Sequence, residues 1–111
     1  MGARTQVKIE PSNVYLYSHW GSGKILLTVQ EAMKKKWRWD DEEYLARIMF
    51  CEMIDDREGE TGYGIGSSEH GDLDNIVIVN CETQTITYKE SYGDKEPKKW
   101  TFNEFIEAQV D

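Results

Sequence analysis

Residues 14–27 read VYLYSHWGSGKILL. The stretch decides the fold because its period changes midway. Val14, Leu16 and Ser18 alternate with Tyr15, Tyr17 and His19, the two-residue repeat of a strand with two distinct faces. The β-branched and aromatic side chains suit a strand inside a sheet. Gly21-Ser22-Gly23 breaks the alternation. Beyond it Leu26, Val29, Met33 and Trp37 recur at three, four and four, which is one face of a helix over 22–36. Lys34, Lys35 and Lys36 close that helix against the negative end of its dipole. A strand that runs through glycines straight into a helix predicts a sheet covered by helices.

Working outward, residues 5–10 alternate as a short strand. Pro11, Ser12 and Asn13 break it, so 1–13 reads as an N-terminal extension or an edge strand. Downstream, Asp40 is placed to cap a second helix, with Glu43 as capping-box partner and Trp39 and Tyr44 as a hydrophobic staple. Its body, residues 44–54, is apolar almost all round and predicts the central helix of the domain. Residues 75–82 and 84–90 read as a hairpin turning near Cys81 to Gln84. Residues 91–99 are a polar loop. Thr101 and Glu104 form a second capping box, Trp100 and Phe105 a second staple, and the last helix covers about 102–110. The expectation is one α+β domain. Its sheet is small and mainly antiparallel, with three to four strands, packed with three helices in the order β-α-α-β-β-α.

Residues 55–74, DDREGETGYGIGSSEHGDLD, fit no such period. Five glycines and seven acids in a stretch that long predict a functional or mobile loop rather than a simple connection. The glycine-tyrosine-glycine-isoleucine-glycine run within it reads either as a flat strand or as a flap over a ligand.

The 111-residue chain can bury one core. It has no apolar run long enough for a membrane span and no apolar leader at Met1, so a cytoplasmic protein is expected, in the host cytoplasm if phage-encoded. Cys51 and Cys81 each sit in an apolar run and read as buried free thiols. The net charge is −8. Residues 1–54 carry eight bases and seven acids, and residues 55–111 five bases and fourteen acids, so the acidity lies in the second half. That disfavours a general nucleic-acid binder. It fits a basic protein partner, or solubility alone.

Two glycine-rich, aromatic-bearing segments stand out as candidate binding elements. The first is His19, Trp20, Gly21, Gly23 and Lys24, where amides at a helix start would take an anion and Trp20 a ring. GSGK lacks the Walker spacing. The second is Glu60, Thr61, Gly62, Tyr63 and Gly64. If the two converge they form one pocket for a small anionic, nucleotide-like ligand. Both also read as ordinary turns. His70, Asp72 and Asp74 lack the ligands and spacing of a calcium loop, and no cofactor or metal is expected. Lys34 to Trp39 mixes cations with two indoles, a pattern that suits nucleic acid but reads better as a helix end and a staple. No nucleophile–base–orienter set is evident. His19 with Glu60 or Asp72 would be the acid–base pair of a small hydrolase.

Taken together, VYLYSHWG, RWDDEEYLARIMFCEMI, GETGYGI and WTFNEFI resemble a family of small uncharacterised proteins of bacteria and their phages. These share a Y-L-Y-S/T-H-W-G strand-turn, a W-D-x-x-Y-L-A-R-I helix and a G-E-T-G-Y-G-I loop, over roughly residues 14–106. Ser22 stands where such proteins often carry glycine. The resemblance implies a phage or prophage setting. By analogy with small phage proteins that counter host defence, it implies a role in occluding a protein or sequestering a nucleotide. Three expectations follow: a non-enzymatic ligand-binding protein, an acidic inhibitor or DNA mimic that grips a basic host protein, and a hydrolase built on His19. A homodimer that completes the site fits the first.

Overall fold

The computed structural model describes residues 4–19, 22–54, 62–71, 73–90 and 96–110. Its strands are β1 (Thr5–Glu10), β2 (Val14–Ser18), β3 (Tyr63–Gly66), β4 (Asn75–Asn80), β5 (Thr85–Glu90) and β6 (Lys98–Thr101). Its helices are α1 (Ile25–Lys34), entered through a 3-10 turn at Ser22–Lys24, α2 (Glu42–Met53) and α3 (Phe102–Glu107). The protein is α+β with three helices, as expected. The sheet, however, has six strands in the order β3-β2-β1-β4-β5-β6 rather than three or four. It is mixed: β1 pairs parallel with β4 and every other pairing is antiparallel. None of the described helices is long and apolar enough to cross a membrane.

Three strands account for the difference in element order. β1 lies in the interior of the sheet, between β2 and β4, and not at an edge. Its alternation is blurred because Thr5, Gln6 and Val7 are all buried, Gln6 on the face opposite Val7. β3 hides in the 55–74 stretch because glycine weakens every strand signal. β6 is the end of the predicted polar loop, and Trp100 pairs with Ile86 across the ladder while still serving as the staple of α3.

The helices cover one face. Val7, Ile9, Leu16, Val77, Val79 and Ile86 point to it and meet Val29, Met33, Leu45, Met49, Phe102 and Phe105 in one cluster. Gln30 in α1 donates from Nε2 to the carbonyls of Phe105 and Ala108, at 2.8 and 2.7 Å, which ties α1 to the end of α3. The α3 capping box forms as read, with Thr101 and Glu104 bonded reciprocally.

The α1–α2 region departs from the sequence reading. α1 stops at Lys34, and Lys36 and Arg38 both take positive φ, 56° and 59°. That turn swings Trp37 outward to 59% exposure, off the predicted helix face. Trp39 takes its place, donating to the Met33 carbonyl at 3.2 Å and packing edge-on against Phe102. The cap of α2 is Asp41 rather than Asp40, accepting from the amides of Glu43 and Tyr44. The one-residue shift leaves Tyr44 exposed beneath Arg38, so the predicted staple is not made. α2 buries only Leu45, Ala46, Met49 and Met53 and is amphipathic rather than central. Cys51 is therefore exposed on its outer side, while Cys81 is buried as expected.

Candidate binding site

The second face of the sheet carries no helix among the described residues. Alternation sends Gln6, Lys8, Tyr15, Tyr17, Ile76 and Ile78 to it. The chain from β3 to β4 crosses this face, because β3 and β4 run parallel with two strands between them. The crossing is fastened by directional contacts. Gln6 reaches up with its amide, donating from Nε2 to the Ser68 carbonyl at 3.2 Å and accepting from the His70 amide at 2.9 Å. Asn13 donates to the Ser67 carbonyl at 2.9 Å. Leu73 packs with Tyr15 and Ile76 in a small apolar cluster of its own.

At the β2 end of this face four side chains come together. The His70 ring stacks on Tyr17, with centroids 4.5 Å apart and planes 18° from parallel. The Tyr17 hydroxyl lies 3.2 Å from His19 Nδ1. Arg4 Nε donates to the same nitrogen at 3.5 Å. A guanidinium has no acceptor, so Nδ1 offers its lone pair to that bond. The result is a guanidinium, two imidazoles and a phenol within one patch. Further along β1, Lys8 bonds Glu10 at 3.0 Å, and that bond raises the lysine's pKa.

The two predicted binding segments do meet. The His19 amide donates to the Gly62 carbonyl at 2.7 Å, and Ser18 and Tyr17 pair with Tyr63 and Gly64. Backbone convergence does not bring the two rings to one side. Tyr63 lies opposite Ser18, on the helix-bearing face, and packs against the main core. His19 lies on the other face with Tyr17. Gly23 is exposed with open space around its α-carbon, so packing does not require glycine there. Lys24 is exposed at the end of the 3-10 turn. Trp20, Gly21, Glu60 and Thr61 lie outside the described residues, as does Asp72 of the considered metal set.

Sequence reasoning missed Arg4 as a partner of His19, and His70 and Gln6 as parts of the same patch. The strand alternation already placed Tyr17 beside His19. Nothing local links Gln6 to His70, which lie 64 residues apart. No family model, curated protein or solved structure matches the chain.

Proposed function

We propose that the chain is a non-enzymatic binding protein that takes a small anionic, ring-bearing ligand, nucleotide-like in chemistry, on the second face of the sheet. One observation carries this reading: the Tyr17–His70 stack stands beside the Arg4–His19 pair on a face that no helix among the described residues covers. A flat ring can extend the stack on the exposed His70, and the Arg4 guanidinium, with five N–H donors, can share them between its protein partners and a phosphate or carboxylate. The meeting of His19 with Gly62 supports a site between the two predicted segments. It shifts the ring-binding role from Tyr63 to Tyr17 and His70.

A ligand that binds only the folded chain raises its melting midpoint. Thermal melts of the wild type, His70→Ala and Arg4→Ala against nucleoside monophosphates, diphosphates and cyclic nucleotides test the reading. At least one compound raises the wild-type midpoint and loses most of that shift in both variants. A silent panel, or a shift the variants keep, refutes it. The phage setting and the counter-defence role rest on the sequence resemblance alone and belong to this proposal.

A further inference from the structure

We propose that the outer edge of β3 accepts an extended, cationic segment of a partner protein as an added strand. The sheet ends in two edges, β3 and β6. Edge strands expose a row of backbone groups that can template another chain, and proteins blunt them with lysine and proline. β6 is blunted: Lys98 and Lys99 are exposed on it and Pro97 precedes it. β3, Tyr63-Gly64-Ile65-Gly66, has no charge and no proline. No strand pairs with its outer side among the described residues.

The phase of the ladder fixes what that edge offers. His19 and Gly62 form a hydrogen-bonded pair, since the His19 amide donates to the Gly62 carbonyl. Antiparallel pairs alternate between bonded and non-bonded. Tyr17 and Gly64 are therefore bonded, and Leu16 and Ile65 are not. The N–H and C=O of Ile65 consequently point away from β2, at the edge. Its side chain lies across from buried Leu16 on the helix-bearing face, yet is 66% exposed. An added strand satisfies both backbone groups and covers that side chain, which is the way extended peptides join sheet edges elsewhere.

Charge selects the occupant. The chain carries −8, and the six residues 55–60 leading to β3 hold four acids and one base. Glu69, exposed, follows it. A second copy of the chain would bring the same net negative charge, whereas a segment with lysine or arginine beside its apolar positions complements it. This inference is independent of the small-ligand reading, because Ile65 faces the helix-bearing side and the Tyr17–His70 stack the other.

Fluorescence anisotropy with a labelled peptide alternating lysine and valine, and a matched one alternating glutamate and valine, tests it at low and high salt. Ile65→Pro removes the outward N–H while sparing the bonds to β2, in which that N–H takes no part. Ile65→Lys keeps the backbone and adds the charge that blunts β6, which covers failure of the proline variant to fold. The wild type binds the lysine–valine peptide and not its glutamate counterpart. Ile65→Pro weakens that binding about 5-fold, because the incoming strand loses the one backbone donor that proline removes. Equal binding by the wild type and both variants would mean adsorption to an acidic surface and overturns the proposal. So does absence of binding. So does a wild-type dimer, seen by sedimentation, that Ile65→Pro converts to monomer, since the edge then serves a second copy.

Discussion

The two faces of the sheet are held by different physics. On the helix-bearing face, Val7, Ile9, Leu16, Val77, Val79 and Ile86 are all 1% exposed or less, against Leu45, Met49, Phe102 and Phe105. The attraction there is non-directional and scales with the apolar area removed from water. On the other face, a polar cluster of Arg4, Gln6, Tyr17, His19 and His70 is joined by individual bonds of 2.9–3.5 Å and one ring stack. Each such bond contributes only about 0.5–1.5 kcal/mol net, but each fixes a geometry. Stability therefore resides on the first face and arrangement on the second. Substitutions should separate them.

The largest effect belongs to the covered face. Phe105 is fully buried, is stapled by Trp100 at 5.2 Å, and closes the core beneath α3. Phe105→Ala should lower the unfolding free energy by about 3–5 kcal/mol in urea, the range for emptying a buried phenylalanine site. A loss below about 1 kcal/mol would mean that α3 is not part of the cooperative core.

Next is a buried polar side chain beneath the helices. Gln30 is 4% exposed and holds two carbonyls at the end of α3. Gln30→Ala leaves those acceptors without their donor, and should cost about 1–3 kcal/mol. Gln30→Met keeps the volume but not the donor. If it is as stable as the wild type, packing alone ties α1 to α3 there.

The two faces also differ in how well the sequence revealed them. Val7, Leu16, Val77 and Ile86 announce themselves by apolar alternation, and Thr101-Phe-Asn-Glu104 by its capping box, because these signals are local. Trp37 lies off the helix face that its spacing predicts, and Trp39 packs on Phe102 rather than on Tyr44, since the period runs on past Lys34 while the backbone turns through Lys36 and Arg38. β3 takes the flat-strand alternative, which the sequence could not separate from a flap because Gly64 and Gly66 supply no side chains to alternate. The Tyr17–His70 stack was invisible for a different reason. It exists only because β3 and β4 are parallel and not adjacent, which forces the connecting chain across the second face. That is a property of topology, which no window of sequence contains.

A smaller effect follows from the position of the two thiols. Burial pushes the Cys81 thiol up from 9.0 to about 11, with the acids Glu42, Asp41 and Asp40 adding to the shift. The thiol of an unfolded chain ionises near 9.0 and the native one near 11, so the native state holds a proton that the unfolded state has lost. The protein keeps this contribution below pH 9 and loses it as pH rises towards 11. Cys81→Ala should flatten that alkaline limb, and Cys51→Ala should leave it in place. A thiol reagent should label Cys51 in the native protein and Cys81 only after unfolding, because Cys51 is exposed and Cys81 is 6% exposed. Labelling of both at equal rates would show that the covered face opens locally.

The smallest stability effect, and the sharpest test of the comparison, is His70→Ala. The His70 ring is exposed and touches the sheet through Tyr17 alone among the ring contacts described. The bond that anchors this residue to Gln6 comes from its backbone amide, which alanine retains. The variant should thus match the wild type within about 0.5 kcal/mol, as surface substitutions do. A face that serves recognition gives up a ring without loosening the fold, whereas a face that serves stability does not. If His70→Ala costs more than about 2 kcal/mol in urea, the stack is a structural clamp on the crossing chain. The division between the two faces then fails, and with it the reason for placing a ligand on the second.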